Sequence, residues 1–271
     1  NTEQAIHNGL DMEFGSWTNG LSAGTKNAYD NYYLAQPYLN LIKSGKVGTK
    51  ELDDKVTRIL NLAYKTTMNK NKPFGNIASE EHIATAKQVG EEGIVLLKNQ
   101  NNVLPIDINK AKKIAVIGEN AIKIMTVGGG SSSLKAKYEI LPLDGIKSRF
   151  GKQSEIKFAR GYVGDPGGEY NGVKSGQDLK ESRSADELLK EAVELAKSSD
   201  YVIFVGGLNK SEYQDNEGID RKSYGLPYNQ DNVISALAKA NKNFAVVLVS
   251  GNAVAMPWIK DVPTVLQNWY L

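Results

Sequence analysis

The chain has 271 residues, a length that suits two domains, or one domain with part of another. Its 33 basic and 31 acidic residues leave a net charge of +2, which gives no reason to expect nucleic acid or a membrane as a partner. The absence of cysteine excludes disulfides and thiolate metal sites. With only His7 and His82, a metal site built from several histidines is disfavoured as well.

The first part of the chain predicts helices around a long irregular segment. A short helix is expected over residues 2–8 and a short strand over residues 9–14. Residues 15–33 mix Gly, Ser, Asn, Trp and Tyr, which is typical of a long loop. A short helix follows over residues 35–45, and a stronger one over residues 49–68, where apolar residues recur at helical spacing.

A change of composition marks the boundary between two domains. Residues 71–78 contain Lys, Asn, Pro and Gly, which is typical of an interdomain linker. Ser79 then predicts the N-terminal cap of the next helix. We therefore assign residues 1–70 to one domain, residues 71–78 to a linker and residues 79–271 to a second domain.

From residue 113 onward, continuous apolar segments alternate with amphipathic ones. Strands are predicted at residues 113–118, 156–159, 201–206, 244–250 and 262–266, and helices at residues 142–150, 184–198 and 229–240. Such alternation predicts an α/β fold, a mostly parallel sheet with helices on both faces. Because ligands approach such sheets at the carboxyl ends of their strands, we expect the chemistry in the loops at residues 119–141 and 207–228.

The first of these loops carries GGGSSS at residues 128–133. Three glycines let the backbone approach a ligand closely, and the serines offer hydroxyl donors and acceptors. No Lys-Ser/Thr follows the glycines as a P-loop requires, which disfavours phosphate. A neutral polar ligand such as a sugar and a plain flexible turn both remain open. A nucleotide-binding, flavodoxin-like domain also remains an alternative, because a strand precedes the glycines.

The second loop is rich in charge. It contains Glu212, Asp215, Glu217, Asp220 and Arg221. A carboxylic acid on a mobile loop can act first as a general acid and then as a base, and glycoside hydrolysis needs two carboxyl groups across the scissile bond. The alternative is a solvated loop in which Asp220 and Arg221 brace the chain.

Several motifs, in order along the chain, resemble those of glycoside hydrolase family 3. They are GLDME at residues 9–13, LLKN at 96–99, IAVIGENA at 114–121, GGGS at 128–131, EGIDR at 217–221, LPYNQ at 226–230, VLVSGNAVAMPW at 247–258 and LQNWYL at 266–271. The similarity extends over essentially the whole chain. It rests on the ordered succession of the motifs, since no single one is decisive.

The resemblance implies a two-domain catalytic unit, in which a (β/α)8-type barrel supplies an aspartate nucleophile and an α/β sandwich supplies the acid/base. Residues 1–70 would be the C-terminal remnant of the barrel, and residues 79–271 a sandwich truncated at its C-terminus. Glu217 matches the catalytic acid/base, and Ser131 matches a serine that reaches the sugar, with Ser132 as the fallback. Trp17 would lie near the sugar, where its ring could stack. No metal or organic cofactor is implied.

The chain also departs from the family pattern. The Ser-Asp-Trp segment that carries the family's nucleophile does not occur in it. We therefore expect the parent protein to be a retaining, β-glucosidase-like glycosidase that removes terminal β-linked glucose or a related sugar, and this chain alone to be inactive. A non-catalytic carbohydrate-binding or interaction module is the alternative.

The expected partners follow from the same resemblance. They are a small saccharide or glycoside, the missing barrel domain and, through apolar surfaces exposed by truncation, further copies of the chain. Family habit favours the bacterial periplasm or exterior.

Overall fold

The computed structural model describes residues 2–13, 32–165 and 173–270, and the chain divides into two units, Asn1–Asn76 and Ile77–Leu271. Trp17 lies outside the described residues, so its role stays a prediction. Helices in the described part are α1 (Thr2–His7), α2 (Gln36–Lys43), α3 (Lys50–Lys65), α4 (Glu80–Gly93), α5 (Pro142–Phe150), α6 (Ala185–Lys197) and α7 (Gln230–Ala240). Strands there are β1 (Val95–Asn99), β2 (Lys113–Ile117), β3 (Glu155–Ala159), β4 (Tyr201–Gly207), β5 (Phe244–Val249) and β6 (Thr264–Gln267). Among these described helices, none has the length and apolar character needed to cross a membrane.

Helices α1, α2 and α3 are the regular secondary structure of the first unit over its described residues. Ile6 of α1, Tyr38 of α2 and Val47 form a small buried cluster. Lys55 of α3 is buried beside them, and its ammonium group donates to the Ile6 carbonyl at 3.0 Å. Thr49 occupies the N-cap position of α3, but its side chain makes no capping hydrogen bond.

The prediction of a strand over residues 9–14 was wrong for residues 9–13, which the structure describes as irregular. Their backbone has no neighbouring strand to pair with among the described residues, and alternation alone does not make a strand. The side chains of Asp11 and Glu13 bond instead to helix α3 and to the turn that precedes α2. Asp11 forms a bidentate ion pair with Arg58 of α3, with Oδ1 and Nη2 2.7 Å apart, and Glu13 accepts from the Leu34 N–H at 3.0 Å.

The second unit is built on a six-stranded sheet of order β1-β6-β5-β4-β2-β3. β1 is antiparallel to β6, and every other pair is parallel. Helices α6 and α7 pack on one face, where Leu188, Ala192 and Leu237 are fully buried against strand residues. Helix α5 packs on the other face through Leu143. The predicted α/β fold, a mostly parallel sheet with helices on both faces, is therefore confirmed.

Glycines at two strand ends let the chain leave the sheet without a clash. Gly118 follows β2 with φ +116°, and a Cβ there would lie 2.1 Å from the Val205 carbonyl oxygen of β4. Gly207 ends β4 with φ +120°, and a Cβ there would lie 2.2 Å from the Val249 carbonyl oxygen of β5. L-residues rarely adopt such φ values, so these two exits require glycine. Each exit begins one of the loops in which we expect the chemistry.

Candidate functional site

The two strand-end loops lie against each other, because β2 and β4 are neighbours in the sheet and parallel. Backbone hydrogen bonds join them. The Gly129 N–H donates to the Lys210 carbonyl at 3.1 Å, and the Glu217 N–H donates to the Gly129 carbonyl at 3.2 Å. The glycine-rich loop and the charged loop therefore form one surface at the carboxyl edge of the sheet.

The structure brings Glu217 and Ser131 into direct contact. Glu217 Oε2 accepts a hydrogen bond from the Ser131 N–H at 2.6 Å, and hydrogen bonds to a charged acceptor are shorter than those between neutral groups. Ser132 is adjacent, but its hydroxyl donates to the Gly129 carbonyl of its own loop at 3.3 Å. Glu217, Ser131 and Ser132 are all exposed to solvent, so a ligand could reach them.

Hydrogen bonding holds the Glu217 carboxyl in its ionised form. The Ser131 side chain, followed by the Ser131 N–H, lowers the pKa of Glu217, and desolvation opposes them. The same contact disfavours the phosphate alternative, because a carboxylate already occupies the Ser131 N–H and would repel an anion placed beside it.

Gly130 allows the glycine-rich loop to approach Glu217 of the charged loop closely. Its φ is +83°, and a Cβ would lie 2.6 Å from Glu217 Cβ and 2.8 Å from Glu217 Oε2. Any side chain at this position would displace the carboxylate. The glycine run therefore has a steric role that its composition alone does not reveal.

Lys210 was not predicted as part of the site. Its carbonyl accepts from Gly129, and its ammonium group donates to the Met125 carbonyl at 3.2 Å, so both ends of the residue bond to the first loop. Burial lowers the pKa of Lys210, and the charge of Glu139 opposes that shift. The signal missed was its position, three residues after the end of β4, where a long side chain reaches the neighbouring loop.

Asp215 was grouped with the charged residues of its loop, but it is half-buried and fully engaged. Its Oδ2 accepts from the Gly251 N–H at 2.6 Å and from the Tyr270 hydroxyl at 3.0 Å. Its Oδ1 accepts from Asn252 Nδ2 at 2.5 Å. These donors come from the segments that follow β5 and β6. Four strands of the sheet thus contribute loops to this edge.

Arg221 lies at the far end of the same loop and bonds to the segment after β5. Its Nη2 donates to the Ala253 carbonyl at 2.6 Å, and its guanidinium lies 5.4 Å from the centre of the Tyr224 ring. A cleft of about 570 Å³ lies between this loop and residues 252–253, and Asp220 and Arg221 are among its lining residues. Tyr224 and Asn252 also line this cleft, and polar groups of this kind can fix the orientation of a polar ligand.

The sequence comparisons agree with the architecture. The model of the glycosyl hydrolase family 3 C-terminal domain matches residues 94–271. The chain belongs to glycoside hydrolase family 3. Over 276 aligned residues it is 47% identical to beta-glucosidase BoGH3A of Bacteroides ovatus. The alignment covers 100% of this chain and 36% of that protein. A beta-xylosidase of Formosa agariphila is 30% identical over 257 residues, covering 89% of this chain and 33% of that protein.

A solved structure shows the same fold in the family. The crystal structure of a GH3 beta-glucosidase from Bifidobacterium adolescentis matches with a TM-score of 0.68 and 30% identity, over 89% of this chain and 32% of that one. This family 3 chain therefore spans about a third of the length of these relatives. Family membership is thereby confirmed, while the roles of Glu217, Ser131, Ser132 and Trp17 stay predictions.

Proposed function

We propose that this chain supplies the acid/base part of a retaining family 3 glycosidase. In this proposal residues 1–70 are the end of a barrel domain, residues 71–78 are a linker and residues 79–271 are the α/β sandwich. The parent protein removes terminal β-linked glucose or a related sugar, in keeping with relatives named as beta-glucosidase and beta-xylosidase. The observation that carries the proposal is the exposed Glu217 carboxylate, held against the Ser131 N–H at the carboxyl edge of the sheet.

The proposed reaction has two displacements. In the first, an aspartate of the barrel attacks the anomeric carbon, the glycosidic C–O bond breaks, and the proton of Glu217 goes to the leaving oxygen. In the second, Glu217 takes a proton from water, the water oxygen bonds to the anomeric carbon, and the bond to the aspartate breaks. Glu217 ends protonated and the aspartate ionised, so both groups return to their starting states.

The first step requires a protonated Glu217, whereas Ser131 favours the carboxylate. A barrel domain placed over this edge would remove water from Glu217, and desolvation raises the pKa of a carboxyl group. We therefore propose that the barrel closes the site as well as providing the nucleophile. The Ser131 hydroxyl, with Ser132 as the fallback, would bond to a sugar hydroxyl in that closed site.

The test is a Glu217→Gln change in a protein that joins this chain to its barrel, assayed on a panel of aryl glycosides. General acid/base catalysis contributes about 10²–10⁴-fold, so we expect a loss in that range for poor leaving groups. Activated leaving groups need less protonation and should lose less. Glu212→Gln is the matched control, because Glu212 is an exposed carboxylate in the same loop.

The outcomes separate the alternatives. Rescue of Glu217→Gln by azide, with a glycosyl azide as product, would support the acid/base role. Equal rates for Glu217→Gln and the unchanged protein would refute it. A protein that binds the sugars of the panel but turns over none of them would point to the non-catalytic carbohydrate-binding module instead.

The chain by itself should neither turn over a glycoside nor stay monomeric. Helix α3 exposes a set of large apolar side chains, namely Leu52, Val56, Ile59, Leu60, Leu62 and Tyr64. A surface of this kind on one helix promotes association. Light scattering should therefore report an oligomer, and a monomer at all concentrations would contradict this part of the proposal.

A further inference from the structure

We infer that Asp215 is the positioning residue for Glu217, and that it fixes the candidate acid/base by tying its loop to the ends of β5 and β6. This inference rests on the proposed function, because it concerns the same carboxylate. Asp215 touches neither Glu217 nor the Ser131 contact in any hydrogen bond, so it would act through the backbone between them.

The backbone between Asp215 and Glu217 is short and tightly turned. Only Asn216 separates the two residues, and a β-bridge joins Asn216 to Ile219. Asp215 has a φ of 49° and Gly218 a φ of +76°, so the chain reverses within four residues. A non-glycine residue with positive φ is strained and persists where its surroundings hold it. The three hydrogen bonds to the Asp215 carboxylate supply that hold.

The donors to Asp215 belong to rigid parts of the sheet. Gly251 and Asn252 follow β5, which is paired on both sides. Gln267 of β6 fixes the same turn, since its Nε2 donates to the Ser250 carbonyl at 2.9 Å and to the Ser250 hydroxyl at 3.0 Å. The anchor of the Glu217 loop is therefore continuous with the sheet and independent of the glycine-rich loop.

Tyr270 is suited to donate to Asp215. Burial, followed by the charge of Asp215, raises the pKa of Tyr270 well above its ordinary value, so the hydroxyl keeps its proton. Two cations lie near this contact: the Lys210 ammonium is 5.9 Å from the centre of the Tyr270 ring, and the charge of Arg221 opposes the rise in the pKa of Tyr270. A carboxylate with three donors fits this site, whereas an asparagine would turn an N–H₂ group toward at least one of them.

The first test uses this chain and needs no activity. The Ser131 amide proton reports the Glu217 contact in ¹H–¹⁵N spectra, and its chemical shift should follow the ionisation of Glu217. In Asp215→Ala we expect the pH-dependent shift of this amide to fall by about half or more, since a displacement of 1 Å is enough to weaken such contacts. Glu212→Gln should leave it unchanged, and Glu217→Gln should abolish it.

Two milder variants provide the same readout if Asp215→Ala does not fold. Asn252→Ala and Tyr270→Phe each remove one donor to Asp215 and leave the carboxylate in place. Each should reduce the pH-dependent shift of the Ser131 amide less than Asp215→Ala does. An unchanged Ser131 titration in folded Asp215→Ala, or in both milder variants where Asp215→Ala does not fold, would overturn the inference.

The second test uses the protein that includes the barrel. A displaced acid/base slows bond cleavage most when the leaving group needs a proton, so Asp215→Ala should lower kcat about 10²-fold for poor leaving groups with little change in KM. For activated leaving groups the loss should be much smaller. An equal loss for both classes would indicate a merely structural role and overturn the inference. If Glu217→Gln is fully active, the proposed function fails, whatever the Ser131 amide shows.

Discussion

Glu119 and Arg160 form a buried ion pair at the carboxyl ends of β2 and β3, with Arg160 Nη2 donating to Glu119 Oε2 at 2.6 Å. The side chains are only 1% and 7% exposed. The same Oε2 also accepts from Arg160 Nε at 3.0 Å and from the Gly164 N–H at 2.8 Å. One carboxylate oxygen therefore joins the residue after Gly118 to the segment that follows β3. The first site loop begins from this fixed point.

Breaking that pair should destabilise the second unit strongly. Arg160→Met keeps much of the side-chain volume but leaves Glu119 buried without its cation, which typically costs about 3–5 kcal/mol. Urea unfolding followed by far-UV circular dichroism would measure the change. Lys197→Met is the control, because Lys197 pairs with the exposed Glu194 at the surface and its loss should change little. Equal losses in the two variants would contradict the prediction.

Ser131 should control the ionisation of Glu217 in this chain. Its side chain is the largest cause of the lowered pKa of Glu217, so Ser131→Ala should raise that pKa toward the ordinary glutamate value. Because the folded state favours the carboxylate, the Ser131 contact stabilises the folded chain at pH values above the pKa of Glu217 in the unfolded state. This stabilisation is lost as the pH falls through the lower pKa of the folded state.

The measurement is a ¹³C titration of the Glu217 carboxyl carbon. Ser132→Ala is the matched control, since the Ser132 hydroxyl bonds to Gly129 within its own loop. We expect a higher midpoint in Ser131→Ala and no change in Ser132→Ala. A midpoint that moves equally in both variants would show that the serines act only through the loop conformation.

Gly130→Ala should disturb the site more than the fold. The new methyl group would meet Glu217 Cβ at 2.6 Å, and the backbone would be held at a φ of +83° that alanine rarely adopts. We expect a loss of about 1–3 kcal/mol from the strain, together with loss of the Ser131 amide response to pH. Differential scanning calorimetry and the amide titration would measure the two effects.

Gly145→Ala is the control for that substitution. Gly145 lies inside α5, has no atom within 4 Å of an added Cβ, and carries no unusual φ. Alanine is favoured over glycine in a helix by about 1 kcal/mol, so this variant should be slightly more stable. A Gly130→Ala protein as stable as the unchanged chain, with its Ser131 response intact, would argue against a steric role for the glycine.

Much of the sheet could be predicted from the sequence, because β2, β4 and β5 are continuous apolar runs bounded by polar residues. The antiparallel direction of β1 could not, since it depends on pairing with β6, 165 residues away for Asn99 and Thr264. The two site loops were predicted from their positions after strands. Asp215 was not singled out, because its donors follow β5 and β6 and its positive φ leaves no mark in the sequence.

Trp258 and Asp231 provide a pH-dependent test of the core. Trp258 is 2% exposed, and its indole N–H donates to Asp231 Oδ1 at 2.7 Å. Burial raises the pKa of Asp231, and this hydrogen bond opposes the rise. A raised folded pKa means that the stability contributed by the group is present below the unfolded pKa and lost as pH rises through the folded one.

Trp258→Phe removes the donor, so the pKa of Asp231 should rise further and the variant should lose more stability at neutral pH than in mild acid. The hydrogen-bond part of the loss should be about 1 kcal/mol, since Asp231 is only half-buried and solvent screens it. Urea unfolding at several pH values would measure it. Trp269→Phe is the control, because the Trp269 indole donates to the neutral Gly93 carbonyl at 2.8 Å and its loss should not depend on pH. The same pH dependence in both variants would rule out Asp231 as the titrating group.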